Sequence, residues 1–214
     1  MVKAIILDLD GTLVDSHKAH VKSYKQVFSD LGLKEPSRQE LKRLFGMIAE
    51  DIIKELFPHL SKVEVREVVD SKREIFLTLM DLVSRKPCVD LFLRKASKKY
   101  RLVIATSASP EEMNSLINNF GWTHYFELMI TSYDVPKPKP APDLLLKVVK
   151  MLGLKKSDCL FIGDSIFDAL SSRNAGVSFL GVETGSFSKK EFNKNGFKSY
   201  KNLCTLTRSK PMLF

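Results

Sequence analysis

The chain has 214 residues and a mass of 24.3 kDa, enough for one sizeable domain or for a domain carrying a smaller insert. Hydrophobic residues make up 44% and charged residues 28%, which excludes a disordered chain, a collagen and a small disulfide-stapled scaffold. The formal net charge is +9, and residues 86–214 hold 20 Lys and Arg against 11 Asp and Glu, whereas residues 15–85 are nearly neutral with 13 against 12. Such an excess favours anionic partners or makes a Lys-rich solvated surface. Aromatic residues do not interleave with the basic ones, so no nucleic-acid partner is expected. No apolar run approaches the roughly 18–20 residues that span a bilayer, so no membrane partner is expected either. Asp8 interrupts the first apolar run, unlike a signal peptide. Cys88, Cys159 and Cys204 are odd in number and far apart, with no CxxC. Neither a zinc site nor a disulfide framework is expected, and a cytoplasmic, reducing location fits.

Ala4-Ile5-Ile6-Leu7 reads as a short buried strand that runs into Asp8-Leu9-Asp10-Gly11-Thr12. From about residue 17 the apolar positions turn helical: Val21, Tyr24, Val27, Phe28 and Leu31 form one stripe, closed by Gly32 and Pro36. Ser37 with Glu40, and Ser61 with Glu64, are capping-box signatures that start two further helical stretches. Pro58 separates them, and Asp70-Ser71 marks an expected break in the last. Residues 15–85 are thus expected to be all helical.

Beyond Pro87 helices and strands alternate. A helix from Val89 precedes a strand at Leu102–Ala105. Ser109-Pro110-Glu111-Glu112 starts a helix that runs to about Asn119. Strands are expected at Leu128–Ile130, Cys159–Ile162 and Val177–Val182, with helices from Pro142 to Gly153 and from Ser165 to Asn174. Alternation of this kind implies parallel pairing. The predicted fold is α/β: a doubly wound, Rossmann-like parallel-sheet core made of residues 1–14 and 86–214, with an α-helical insert at 15–85.

Open parallel sheets bind ligands beyond the carboxyl ends of their strands. Asp8 and Asp10 end the first strand, and alternation turns both side chains the same way. Thr106-Ser107 ends the next, Lys139 sits in a proline-rich loop, and Gly163-Asp164 ends another, with Asp168 one helical turn on. Two adjacent carboxylates repel unless a cation lies between them. An oxygen-rich set with few protein ligands suits Mg²⁺. Such a site would attract a phosphate, with Lys139 and the backbone around Gly11 and Thr12 helping to hold it. One Asp could then serve as nucleophile and another as acid/base. His17 and His20 read as packing or surface groups.

These segments resemble the haloacid dehalogenase superfamily. Asp8-Leu9-Asp10-Gly11-Thr12-Leu13, Ile104-Ala105-Thr106, Lys139-Pro140-Ala141-Pro142-Asp143 and Gly163-Asp164-Ser165-Ile166-Phe167-Asp168 resemble its four motifs in order. The helical block stands where that family carries a small cap. The resemblance implies a phosphatase in which Asp8 is the nucleophile and Asp10 the acid/base. Thr106, Ser107, Lys139 and Gly11 would bind the substrate phosphate, and Asp8, Asp10 (through its carbonyl), Asp164 and Asp168 would hold or brace Mg²⁺. Asp15-Ser16, His20 and Gly181-Val182-x-Thr184-Gly185 are similar to the phosphoglycolate phosphatase and β-phosphoglucomutase branch. Ala49 stands where the mutases carry a phosphate-gripping Arg, and Ala108-Ser109 where they carry a Ser-Lys pair. Simple hydrolysis of a small phosphorylated metabolite is therefore expected, with phosphoglycolate-type substrates included. A phosphomutase and a non-catalytic regulatory protein are the alternatives, and the oligomeric state is left open. The apolar segment Leu44–Ile48 is read as cap core or as a hint of a small, weakly polar leaving group. Val14–His17 and Arg85–Pro87 are the expected hinges.

Overall fold

The computed structural model describes residues 1–208. In chain order it comprises β1 (Ala4–Leu7), β2 (Val14–Asp15), α1 (His17–Asp30), α2 (Arg38–Leu44), α3 (Ala49–Leu56) and α4 (Lys62–Thr78). There follow β3 (Ser84–Arg85), α5 (Val89–Ala96), β4 (Arg101–Thr106), α6 (Pro110–Asn119), β5 (Leu128–Thr131) and α7 (Asp143–Leu152). The chain continues through β6 (Cys159–Gly163), α8 (Ile166–Ala175), β7 (Ser178–Val182), α9 (Lys189–Lys194), β8 (Ser199–Tyr200) and α10 (Leu203–Arg208).

Six of these strands form one parallel sheet in the order β5-β4-β1-β6-β7-β8. β1 lies between β4 and β6 and is buried on both faces, which is why it reads as an unbroken apolar run. Ile5 and Leu7 pack with Phe92, Ile104 and Leu116 on one side. Ala4 and Ile6 pack with Val103, Leu144 and Phe161 on the other. This two-residue alternation fixes the direction in which side chains leave the strand tip. The core is the expected α/β Rossmann-like sheet.

α1 to α4 bury a hydrophobic cluster of their own, centred on Tyr24, Phe28, Ile53, Phe57, Val65 and Val69. α4 runs unbroken through Asp70-Ser71, where the expected break does not occur, and Asp70 pairs along the helix with Arg66 and Arg73. Where the chain leaves and re-enters the core, β2 and β3 pair antiparallel, Val14 with Arg85 and Asp15 with Ser84. The expected all-helical block thus has a two-residue strand at each end. The pairing holds both crossings side by side, and Lys86 Nζ, 3.3 Å from Asp15, adds an ion pair there.

The cysteine expectation is corrected. Cys88 and Cys204 form a disulfide across 116 residues, with Cα atoms 5.2 Å apart, while Cys159 is buried and free. The bridge ties α10, whose Leu203 and Leu206 enter the core, to the start of α5.

Candidate active site

The strand ends β1, β4 and β6 converge on one edge of the sheet. Gly11, at φ +79°, turns the chain back sharply, and its N–H donates to Val14 O. Thr12 Oγ1 donates to Asp164 Oδ1 at 3.1 Å, and Thr184 Oγ1 donates to Gly11 O at 2.7 Å. A methyl on Gly11 or on Gly185 would collide with the Asp164 carboxylate, so both positions require the bare backbone.

Lys139 is 1% exposed, and its ammonium is fully engaged. It donates to Asp8 Oδ1 at 2.8 Å, to Asp168 Oδ1 at 2.7 Å and to Ala105 O at 2.9 Å. Burial opposes its charge, but Asp168 and Asp8 outweigh burial and hold its pKa above the ordinary lysine range. Asp168 Oδ2 takes the Ser165 N–H and hydroxyl, so both of its oxygens serve the protein. Thr106 Oγ1 accepts from Ala108 N, and Ser107 Oγ donates to Gly46 O at 2.8 Å.

Asp8, Asp164 and Asp168 bring carboxylate oxygens within 4.8 Å of one another, all buried. Burial pushes the Asp8 carboxyl up to about 7, Lys139 pulls it back, and Asp168 adds repulsion. Burial, then Asp8 and Asp168, push Asp164 well above its ordinary value. Three buried carboxylates facing one ammonium leave a deficit of positive charge. A hard divalent cation suits that oxygen donor set.

Asp10 is surrounded differently. Ser16 Oγ donates to its Oδ1 at 2.5 Å, and His20 Nε2 lies 3.3 Å from the same oxygen. Burial alone would raise the Asp10 pKa; hydrogen bonds from His20 and Ser16 and the charge of Lys72 overcome burial and hold it low. His20 stacks on Phe76, and its Nδ1 is 3.0 Å from Lys72 Nζ. An ammonium can only donate. Nδ1 therefore accepts, and the ring proton sits on Nε2, facing Asp10.

Above these groups lies a cavity of about 480 Å³, the size of a small-molecule site. Its floor holds Asp8, Asp10 and Thr106, and its roof is Phe45, Gly46 and Met47 from the insert. Phe45 and Met47 both line this cavity and pack on the insert's own core.

A family model described as haloacid dehalogenase-like hydrolase matches residues 5–182. The chain belongs to that family. It is 31% identical over 185 residues to "Putative pyrophosphatase PpaX" of Clostridium perfringens, covering 86% of this chain and 85% of that protein. It is 28% identical over 186 residues to fructose-1-phosphate phosphatase YqaB of Escherichia coli, covering 83% and 95%. Among solved structures, a hydrolase from Pseudomonas syringae superposes with a TM-score of 0.88 at 24% identity, over 96% of each chain. CbbY from Rhodobacter sphaeroides, solved with phosphate, superposes with a TM-score of 0.86 at 21% identity, also over 96% of each. These structures share the fold. As a member of this family, the chain is a hydrolase of the phosphatase kind.

The structure brings Asp8, Asp10, Gly11, Thr106, Ser107, Lys139, Asp164 and Asp168 to one edge, as the sequence reading grouped them. That reading missed the side chains reaching Asp10 from the insert. His20, expected as a packing or surface group, does stack on Phe76, but it also touches Asp10. Lys72 is 3% exposed and follows Val65, Val68 and Val69 and precedes Phe76 on the buried face of α4. A lysine in an apolar helical stripe was the available signal.

Proposed function

We propose that this hydrolase is a Mg²⁺-dependent phosphatase that cleaves a small phosphorylated metabolite through an aspartyl-phosphate on Asp8. The observation that carries the reading is the contrast between two carboxylates two residues apart. Asp8 is gripped by Lys139 at 2.8 Å beside two further acids, whereas Asp10 is turned toward Ser16 and His20. Groups in such different surroundings suit different tasks.

In this reading Asp8 attacks phosphorus, and the bond to the leaving oxygen breaks as Asp10 gives that oxygen a proton. Negative charge on the arriving phosphoryl group opposes the contacts that keep Asp10 ionised, which loads it with the proton it delivers. Water then attacks the phosphorus, Asp10 takes its proton, and the Asp8–phosphorus bond breaks to release phosphate. Lys139, Thr106, Ser107 and the backbone at Gly11 hold phosphoryl oxygens, and Asp168 keeps Lys139 in place. Asp8, the Asp10 carbonyl and Asp164 would hold Mg²⁺. When bound, the ion would neutralise charge building on the phosphoryl oxygens.

Residues 15–85 serve as a cap domain over a core of 1–14 and 86–214. Support comes from the insert's separate hydrophobic cluster and from the β2–β3 pairing at its two crossings. Ala49 and the Ala108-Ser109 pair favour hydrolysis over phosphoryl transfer to a second substrate. A cytoplasmic location fits a metabolite substrate, without the cysteine argument, which the Cys88–Cys204 bridge removes. The test is phosphate release from a panel of phosphorylated metabolites and from 4-nitrophenyl phosphate, with and without Mg²⁺. Release no faster than with the Asp8→Asn variant overturns the reading.

A further inference from the structure

Glu112 lies in the first turn of α6, in the core, six residues past Thr106, and is 6% exposed. It caps its own helix: Oε2 accepts from Ser109 N at 3.1 Å. Its other oxygen, Oε1, accepts from Lys72 Nζ at 2.6 Å, across the boundary between core and insert. Lys72 is thereby held with one proton directed at His20 Nδ1, at 3.0 Å, and His20 Nε2 faces Asp10 at 3.3 Å. The four side chains form one line, carboxylate, ammonium, imidazole, carboxylate, with two members from the core and two from the insert. Next to it, Arg73 and Glu111 make a longer pair of 3.7 Å at the surface, with Glu111 57% exposed. Such an exposed pair contributes little. The buried pair is different, because a Glu112 or Lys72 charge that lost the other would remain 6% or 3% exposed with no opposite charge bonded to it.

We infer that Glu112 is a positioning residue for Asp10: through Lys72 it sets the tautomer and placement of His20, so that the acid/base is correctly oriented only when the insert is seated on the core. This rests on the acid/base role proposed above for Asp10. A simple clasp would need only the ion pair. The line adds a requirement of sign: with a donor at Nδ1 the neutral His20 ring carries its one proton on Nε2, facing Asp10, whereas an acceptor at Nδ1 suits the doubly protonated ring.

The experiment compares kcat/KM for two probe esters in Mg²⁺: phenyl phosphate, whose leaving oxygen needs a proton, and 4-nitrophenyl phosphate, whose leaving group departs readily without one. kcat/KM reports transfer to Asp8, the step in which the leaving group matters. Glu112→Gln is expected to lose at least tenfold more on phenyl phosphate than on 4-nitrophenyl phosphate. Glu112→Asp keeps the charge and is expected to hold the ratio of the two esters near that of the unaltered protein. Glu111→Gln should change neither. The exchanged pair Lys72→Glu with Glu112→Lys restores an ion pair between insert and core but turns a carboxylate toward His20 Nδ1. It is expected to remain deficient on phenyl phosphate, with a thermal melt reporting that it is folded. Equal losses on both esters in Glu112→Gln, or recovery of phenyl phosphate hydrolysis in the exchanged pair, overturns the inference and leaves a plain clasp. If the unaltered protein hydrolyses neither ester, the phosphatase reading itself fails; if it hydrolyses both and the ratio never moves, only the role of Glu112 fails.

Discussion

Lys139 reaches across 131 residues of sequence to donate to Asp8 Oδ1 at 2.8 Å, and the same ammonium donates to Asp168 Oδ1 at 2.7 Å. One side chain thus holds the end of β1 and the first turn of α8 at a fixed separation while supplying the positive charge nearest to the proposed nucleophile. Structure and chemistry are joined at that nitrogen.

Lys139→Met should therefore cost both stability and activity. It keeps most of the volume but leaves Asp8 and Asp168 facing each other in a buried site. Breaking one side of a buried ion pair typically costs about 3–5 kcal/mol. A urea melt should show a loss of that order, and phosphate release should fall to the blank. A variant as stable as the unaltered protein would mean that the two carboxylates do not depend on Lys139.

Asp8→Asn should abolish turnover with the fold retained, because the amide is nearly isosteric but a poor nucleophile. Retention of more than about 1% of activity, a barrier increase of under ~2.7 kcal/mol, would remove Asp8 from that role. Asp10→Asn should instead leave metal affinity close to normal while slowing both proton transfers. Calorimetric titration of Mg²⁺ against kcat separates the two variants.

Metal and pH should be linked in a predictable sense. The Asp8 carboxyl is pushed up to about 7 by burial, against 3.8 for the free group, and Asp164 moves the same way. Between those two values the unfolded chain has released a proton that the folded chain still holds. Metal-free protein should therefore lose stability as pH rises from about 4 to 7. Mg²⁺, binding the ionised folded form, should raise Tm more at pH 7.5 than at pH 5. Ca²⁺ should restore turnover poorly because it accepts higher coordination and can draw Asp8 into bidentate ligation. A Tm rise independent of pH would contradict this account of the carboxylates.

The site groups at strand ends were legible because each strand is a short apolar run that ends at or just before a polar residue. Once β1, β4 and β6 are read as parallel neighbours, Asp8, Thr106 and Asp164 must share an edge. The line from Glu112 to Asp10 was not legible for the opposite reason. Its members sit in three helices and a loop, with 40 residues between Lys72 and Glu112 and 52 between His20 and Lys72, and no period relates them. Only the packing of α4 on α1 and α6 puts them in contact. The Cys88–Cys204 bridge failed for a similar reason: closure of 116 residues depends on α10 returning to α5, which spacing does not encode. The two-residue strands β2, β3 and β8 are too short to show an alternation at all.

Cys204→Ser should destabilise the protein by about 2–4 kcal/mol relative to the oxidised form, in line with removal of a long-loop cross-link. The loss should be concentrated at α10, where hydrogen exchange of the Leu206 and Thr207 amides should quicken. Activity at moderate temperature should be unchanged, because the bridge joins α5 to α10 and neither carries a site residue. If thiol labelling after denaturation without reductant finds three free cysteines, the pair is not joined in solution and this prediction lapses along with the bridge.

Gly46→Ala tests whether the insert must seat on the core. Gly46 has φ +108°, and its carbonyl accepts from Ser107 of the core. A methyl there would lie 2.7 Å from Ser165 Oγ and 3.0 Å from the Phe167 ring, both in the core. The strain of that φ and the collision act together to lift the roof from the cavity, while Asp8 and Lys139, held within the core, stay where they are. Three further contacts join the insert to the core: Tyr133 with Glu50 at 2.7 Å, Lys72 with Glu112, and Arg73 with Glu111. Displacement of about 1 Å at a reacting centre is enough to cost some 10²-fold, so kcat/KM should fall by that order. Spin labels on Glu67 in α4 and Lys150 in α7 should report a longer and broader distance than in the unaltered protein when vanadate and Mg²⁺ are present. An unchanged distance with full activity would mean that the insert stands as a fixed wall, and that closure plays no part in shielding the proposed aspartyl-phosphate from water.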